Sequence, residues 1–279
     1  MGKIDLRVDD SNKVRRKIAM GTWNQPKDCQ VYGYLEVDIT DLLPKMKKFS
    51  EQVGRKINLN HVIGKAVTIC FQNRPELNGL IRKNRVYLRK HVKLCYLVNM
   101  PSPDGDVKKN NLSACGIDYA EELKISEFAR VMEEKAAAAR EGRDKEIRQN
   151  MDAFKFIPWC LVKAYMNFAS FLIYGLNLDL EKFGVPKDPF GSVIITNIGS
   201  LGIDVAWAPL VPYARTPMVI TICGATDKPW VHAGEIKIRK ILPIACTFDH
   251  RFADGAQMAR MTEDFKKCIN EPEKYLFDG

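Results

Sequence analysis

With 279 residues, 46% of them apolar, the chain is long enough to bury a sizeable core and too apolar to be a disordered segment. Its net charge of +9 suits anionic partners such as phosphates, but no nucleic-acid-binding motif accompanies the charge, so nucleic acid is not an expected partner. The eight cysteines lie far apart without metal-ligand or redox spacing; they read as reduced thiols of a cytoplasmic protein, and no metal is expected.

The N-terminus has no signal-peptide pattern, and Leu6 stands where a myristoylation motif needs Ser or Thr. Val31–Ile39 predicts a strand that passes into a helix over Leu42–Val53. A second helix is predicted over Leu59–Asn73, where Val62, Ile63, Ala66 and Ile69 recur at helical spacing. Short strands follow near Val86–Leu88 and Leu94–Val98, and Pro101-Ser102-Pro103-Asp104-Gly105 marks a turn. Ser126 is expected to cap a helix that runs to about Arg140 through an alanine-rich centre.

Phe154–Lys163 and the uncharged run Ala164–Leu178 come next. The run is shorter than the roughly 20 apolar residues that a membrane span needs. As a helix it places Trp159, Val162, Met166, Ala169 and Ile173 on one face, with Tyr165, Phe168 and Leu172 on the adjoining one. A helix this apolar has to bury most of its surface, on its own subunit or on a neighbour. The functional alternatives are membrane-surface contact through residues 154–178, which would make the protein peripheral at a membrane, and a wall over a substrate channel.

Two stretches towards the C-terminus carry chemistry. In Phe190-Gly191-Ser192-Val193-Ile194-Ile195-Thr196-Asn197-Ile198-Gly199, an apolar strand ends in a hydroxyl, an amide and a glycine turn. Either this is a plain strand end, or Thr196 directs a hydroxyl donor to a developing negative charge. In the second, the strand Ile241–Phe248 leads to Asp249-His250-Arg251-Phe252-Ala253-Asp254-Gly255, and a helix from about Ala256 to Ile269 follows, with Met258, Met261, Phe265 and Ile269 at helical spacing. Asp254 suits the helix N-cap. His250, one of only four histidines, sits on the short connection where a ring nitrogen can enter a cleft and act as a general base.

These blocks, together with Val14–Ala19, Val31–Leu43, Asn60–Leu80 and Glu271–Lys274, keep one order along the chain. In that order the sequence resembles the catalytic core of the dihydrolipoyl acyltransferases of 2-oxoacid dehydrogenase complexes, relatives of chloramphenicol acetyltransferase. The resemblance implies an α/β two-layer sandwich, with a mixed sheet packed by helices, in a single domain over residues 1–279. It also implies a homotrimer or a multiple of trimers, with active sites between subunits.

The implied activity is coenzyme A-dependent acyl transfer between a thioester and a thiol or other acceptor, with acyl-coenzyme A as co-substrate. His250 matches the general base, Thr196 the oxyanion donor and Asp254 an acid that orients the loop through Arg15. Gly255 and Asn197 fall among the supporting residues. Two departures stand out. The chain carries neither a lipoyl group of its own nor a subunit-binding domain, so a separate lipoyl-carrying protein is the expected partner. An apolar helical insertion occupies about 142–189. The competing reading is a trimeric scaffold that keeps the fold without turnover.

Overall fold

The computed structural model describes residues 5–8, 29–100, 111–141, 158–181 and 187–277. In chain order the elements are β1 (Leu6–Val8), β2 (Gln30–Asp38), α1 (Leu42–Gln52), α2 (Leu59–Asn73), β3 (Gly79–Arg82), β4 (Arg85–Arg89), β5 (Leu94–Met100) and β6 (Asn111–Ile117). After them come α3 (Ile125–Arg140), α4 (Trp159–Ser170), β7 (Val193–Asn197), β8 (Met218–Ile222), β9 (Thr226–His232), β10 (Glu235–Asp249) and α5 (Gly255–Asn270). Among the described residues the strands form a three-stranded sheet, β1-β4-β3, and a seven-stranded sheet, β2-β10-β8-β7-β5-β6, with β9 on the first half of β10.

The large sheet is mixed, because β7 runs parallel to both β5 and β8 while the other pairs are antiparallel. Successive side chains of a strand point to opposite faces, and the packing obeys this closely. Val193 and Ile195 of β7, with Met218, Ile220 and Ile222 of β8, enter the main core together with Val62, Ala66, Phe128 and Phe265 of α2, α3 and α5. The intervening Ile194 and Val219 face the other way and meet Leu210 and Ala214. The central strands are therefore buried on both faces, and they read as unbroken apolar runs. The expected two-layer α/β arrangement forms.

Helix α2 approaches the sheet very closely. A Cβ at Gly64 would lie 1.8 Å from the Tyr96 hydroxyl oxygen and 2.9 Å from Phe128, so only glycine lets the three elements meet. Asn58 caps this helix reciprocally with His61: the Asn58 side-chain Oδ1 accepts from the His61 N–H at 3.2 Å, and His61 Nδ1 accepts from the Asn58 N–H at 3.3 Å. Burial of the ring lowers the His61 pKa to about 4, which keeps that histidine neutral.

The apolar segment after residue 158 forms α4 and continues into one π-helical turn, Phe171–Gly175. Ile173 and Tyr174 pack on Leu80 and Leu180. Arg82 Nε donates to the Gly175 carbonyl at 3.0 Å. Arg89 pairs with Asp188 through bonds of 2.6 and 3.1 Å, both side chains being nearly inaccessible. Burial alone would raise the Asp188 pKa, but the Arg89 charge and its hydrogen bonds outweigh it and hold the carboxyl below its usual range.

Several expectations need correction. The helix expected to be capped by Ser126 begins at Ile125, and its N-cap Lys124 makes no side-chain cap bond. Ile125 is wholly buried, so packing sets that boundary rather than capping. The apolar helix is covered unevenly within the chain: Val162, Met166, Ala169 and Leu172 are half-buried and Ile173 is buried, whereas Tyr165 and Phe168 are exposed. Trp159 side-chain packing and the turn at 101–105 lie outside the described residues. The sequence reading does not include the strands β1, β3, β6, β8 and β9. Among the described residues, no helix is long and apolar enough to cross a membrane.

Candidate active site

Strand β10 delivers His250 one residue beyond its last pair with β2, Asp249 with Gln30. The turn that carries it is braced from three sides. The His250 N–H donates to the Cys29 carbonyl at 2.7 Å, and the Asp249 N–H donates to the Pro217 carbonyl at 2.9 Å. The Asp249 carboxylate accepts from Arg251 Nε at 2.9 and 3.1 Å, and from Nη2 at 2.5 Å. Burial by itself would lower the Arg251 pKa, but the hydrogen bonds and charge of Asp249 more than offset it, and the net shift is upward. Burial, reinforced by the Asp249 charge, pushes the Cys29 thiol up to about 11, so it stays protonated. The His250 ring is half-buried and lies against Phe248, with 6.5 Å between ring centroids.

Four residues on, Asp254 caps α5. Its Oδ1 accepts from the Ala256 and Gln257 N–H groups at 3.1 and 3.2 Å, while Gln257 Oε1 accepts from the Asp254 N–H at 3.1 Å. A carboxylate at a helix N-terminus also meets the positive end of the helix dipole. The connection from His250 to α5 is thus fixed at both ends. Arg15, the expected partner of Asp254, lies outside the described residues. Gly255 opens the helix, and a Cβ there would meet nothing within 4 Å, so no neighbour within the chain demands a glycine.

Thr196 lies near the end of β7. It shares its face with Ile194, which is the face opposite the main core. Thr221 stands level with it on β8; it is buried, and its hydroxyl has no hydrogen-bond partner among the described residues. Asn197 points to the helix side, where its Nδ2 donates to Asn60 Oδ1 at 2.7 Å and its Oδ1 accepts from the Gly199 N–H at 3.0 Å. Asn197 therefore ties the turn after β7 to the start of α2. The turn needs Gly199, whose Cβ would fall 2.7 Å from the Cys223 carbonyl oxygen.

The sheet register keeps His250 and Thr196 apart within one chain. Thr196 is level with Thr221, and Thr221 with Ala245. His250 stands five positions further along β10, two strands over. At strand dimensions this is roughly 19 Å between α-carbons, far beyond the few ångströms over which a base and an oxyanion donor can share one reacting group. The structure thus groups His250 with Asp254 and sets Thr196 with Asn197 at the opposite end of the sheet.

Three contributors were not singled out in the sequence: Cys29 as backbone acceptor, the Asp249–Arg251 brace and Asn60. The signal for the brace was present, since an acid and an arginine two apart straddle the histidine. The contribution of Cys29 is a main-chain carbonyl and leaves no trace in residue type.

The family model for the 2-oxoacid dehydrogenases acyltransferase (catalytic domain) matches residues 7–150 and 189–277. The dihydrolipoyllysine-residue acetyltransferase component of the acetoin cleaving system of Bacillus subtilis is 26% identical over 242 residues, which is 85% of this chain and 48% of that protein. The chain spans about half the length of curated relatives such as this one. Among solved structures, the dihydrolipoamide acetyltransferase of Azotobacter vinelandii superposes with a TM-score of 0.63 at 19% identity, covering 90% of this chain and 85% of that one. That structure concerns a serine, a histidine and an asparagine in the enzyme's catalytic mechanism. Chloramphenicol acetyltransferase superposes with a TM-score of 0.51 at 14% identity, covering 95% and 100% of the two chains.

Proposed function

Because the chain belongs to the catalytic-domain family of the 2-oxoacid dehydrogenase acyltransferases, we propose that it moves an acyl group between coenzyme A and a second thiol, dihydrolipoamide. The observation that carries the reading is the braced turn presenting His250 beside a capped helix. His250 is the base that takes the proton of the attacking thiol, whose reference pKa is about 8.5. The thiolate adds to the thioester carbonyl carbon, and the carbonyl electrons move to oxygen. Thr196 donates a hydrogen bond to that oxyanion. Collapse re-forms the carbonyl and expels the other sulfur, which recovers the proton from the imidazolium.

The Azotobacter enzyme has an asparagine four residues after its histidine; this chain has Asp254 at that spacing. In the proposed mechanism Asp254 positions the histidine turn through the α5 cap and Arg15, and takes no proton.

The reading includes assembly into trimers, with His250 of one copy facing Thr196 of the next. Their separation of roughly 19 Å within one chain supports it, since closed rings bring unlike surfaces of a subunit together. A second observation is the ribbon made by β9 and the first half of β10. Val231 pairs with Ile236 and Pro229 with Ile238, and Val231, Ile236 and Ile238 are 69, 78 and 79% exposed. Such an apolar face on a two-stranded ribbon calls for cover from a neighbour. Replacing Ile236 and Ile238 together by lysine is expected to convert trimers to monomers in sedimentation analysis and to abolish turnover. A double variant that stays trimeric would remove the ribbon from the interface.

The function itself is tested by acyl exchange between a panel of acyl-coenzyme A thioesters and free dihydrolipoamide. Saturable exchange with at least one donor is expected. A folded trimer that binds coenzyme A and exchanges no acyl group would replace this reading by a scaffold.

A further inference from the structure

The outer face of α4 is apolar, with cations along one border. Leu161, Tyr165, Phe168 and Phe171 are exposed at helical spacing, and Leu176 and Leu178 extend the surface past the π-helical turn. From Ala164 to Leu178 the sequence holds no charged residue. The other side of the segment is anchored. Ile173 and Tyr174 pack on Leu80, and Ser170 Oγ accepts from Arg215 Nε at 3.4 Å. The Arg82 bond to the Gly175 carbonyl brings the tip of the β3–β4 hairpin to the same place. Lys83 and Asn84 form that tip with φ of 49 and 56°, and Lys83 and Arg85 are exposed. Arg82, Lys83 and Arg85 have no ion-pair partner among the described residues. The nearest acids in sequence, Asp179 and Glu181, follow Leu178, and the Asp179 carboxylate accepts from the Glu181 N–H at 3.0 Å.

Helix α4 lies between the two stretches that the family model matches, so this surface is an addition to the family's catalytic domain. A contiguous exposed apolar surface marks a site of contact. We propose that α4 docks the protein on an anionic phospholipid bilayer, with Phe168 and Phe171 below the headgroups and Lys83 and Arg85 at the level of the phosphates. A helix lying in the bilayer interface needs this division, apolar side chains beneath and cations at their border. Its twelve residues are too few to span the hydrocarbon, so it rests on the surface. The net charge of +9 draws the whole protein to such a surface. The same charge opposes the other occupant, a second copy of the chain. A two-fold contact through α4 would bring each hairpin tip towards its own counterpart, and like charges set together are costly. Docking of this kind does not depend on acyl transfer.

The test is co-sedimentation with vesicles of phosphatidylcholine alone and of phosphatidylcholine mixed equally with phosphatidylglycerol. The native protein is expected to bind the mixed vesicles, and less tightly as salt is raised. Phe168→Ser/Phe171→Ser should weaken binding roughly 10- to 100-fold through lost apolar burial. Lys83→Glu/Arg85→Glu should weaken it roughly 10-fold or more. Melting temperatures check that both variants fold, and acyl exchange between soluble substrates should stay at the native level in each. Failure of the native protein to sediment with any vesicle overturns the proposal. Binding that survives the phenylalanine substitutions is adsorption by net charge alone and overturns it too. Equal binding to the two vesicle types overturns the choice of an anionic lipid. A smaller oligomer for Phe168→Ser/Phe171→Ser, with no vesicle binding by the native protein, gives the face to a second copy instead. Absence of acyl exchange in the native protein counts against the acyl-transfer reading and leaves the vesicle result to stand by itself.

Discussion

Co-expressed chains carrying His250→Ala and Thr196→Ala recover about a quarter of the native exchange rate, although each variant alone is nearly inactive. Loss of the base costs roughly two to four orders of magnitude, and loss of the oxyanion donor roughly two to three. If each site takes His250 from one copy and Thr196 from the next, random mixing in a closed ring joins a native histidine to a native threonine at about one site in four. A site made within one chain cannot be rebuilt by mixing, because every chain lacks one of the two groups. The sheet register, with β10 and β7 two strands apart and their chemical ends pointing in opposite directions, makes the first outcome the expected one. A dihydrolipoamide exchange assay on the unfractionated mixture suffices; mixed trimers isolated with two tags each hold one complete site of three, so about a third of the native rate is expected of them. Recovery no greater than the sum of the two variants would sink the shared site.

The second large effect concerns stability. Arg251→Ala should destabilise the protein by about 3–5 kcal/mol, the usual cost of leaving one member of a buried ion pair uncompensated. Asp249 and Arg251 are 7 and 8% exposed, and three bonds join the carboxylate to the guanidinium. Removal of the arginine leaves the Asp249 charge buried, beside a Cys29 thiol that stays protonated and supplies no cation. Urea unfolding of Arg251→Ala, Asp249→Ala and the double variant closes the cycle. The double variant should be more stable than the sum of the single losses predicts. Additive losses would mean that the two side chains act separately and that the turn is held by its backbone bonds alone.

The legibility of the fold depended on periodicity. Leu59–Asn73 is legible from its apolar stripe alone, and the helix after Asp254 from its stripe together with the Asp254 cap; both agree with the structure almost to the residue. The Ser126 boundary failed because the completely buried Ile125 governs that end. Strands β6 and β8 escaped for opposite reasons. Asn111–Ile117 mixes glycine, serine and alanine with few β-branched residues, whereas Met218–Ile222 is buried on both faces and shows no alternation.

The candidate site was legible where a side chain acts and silent where the backbone does. His250, Asp254 and Thr196 stood out by residue type, and Asn197 by its place after the strand. The roughly 19 Å between the two chemical groups follows from strand order and register, which no local pattern encodes. The exposed Tyr165 and Phe168 follow from packing that only one side of α4 receives within the chain. Spacing showed that an apolar surface existed and could not say what covers it.

The pairing of β10 with β2 carries a consequence for folding kinetics. Its rungs join positions about two hundred residues apart, from Asp38 with Ile241 to Gln30 with Asp249. Contacts so distant in sequence carry the full loop-closure cost before they return any stabilisation, and they slow a folding reaction. Strand β2 therefore waits, edge exposed, until the chain through β10 has emerged. Only when β10 docks do the Cys29 carbonyl and the His250 N–H meet. The turn bearing His250 is thus among the last parts of the molecule to acquire its shape, and a chain stalled before that step has its helices but no histidine site.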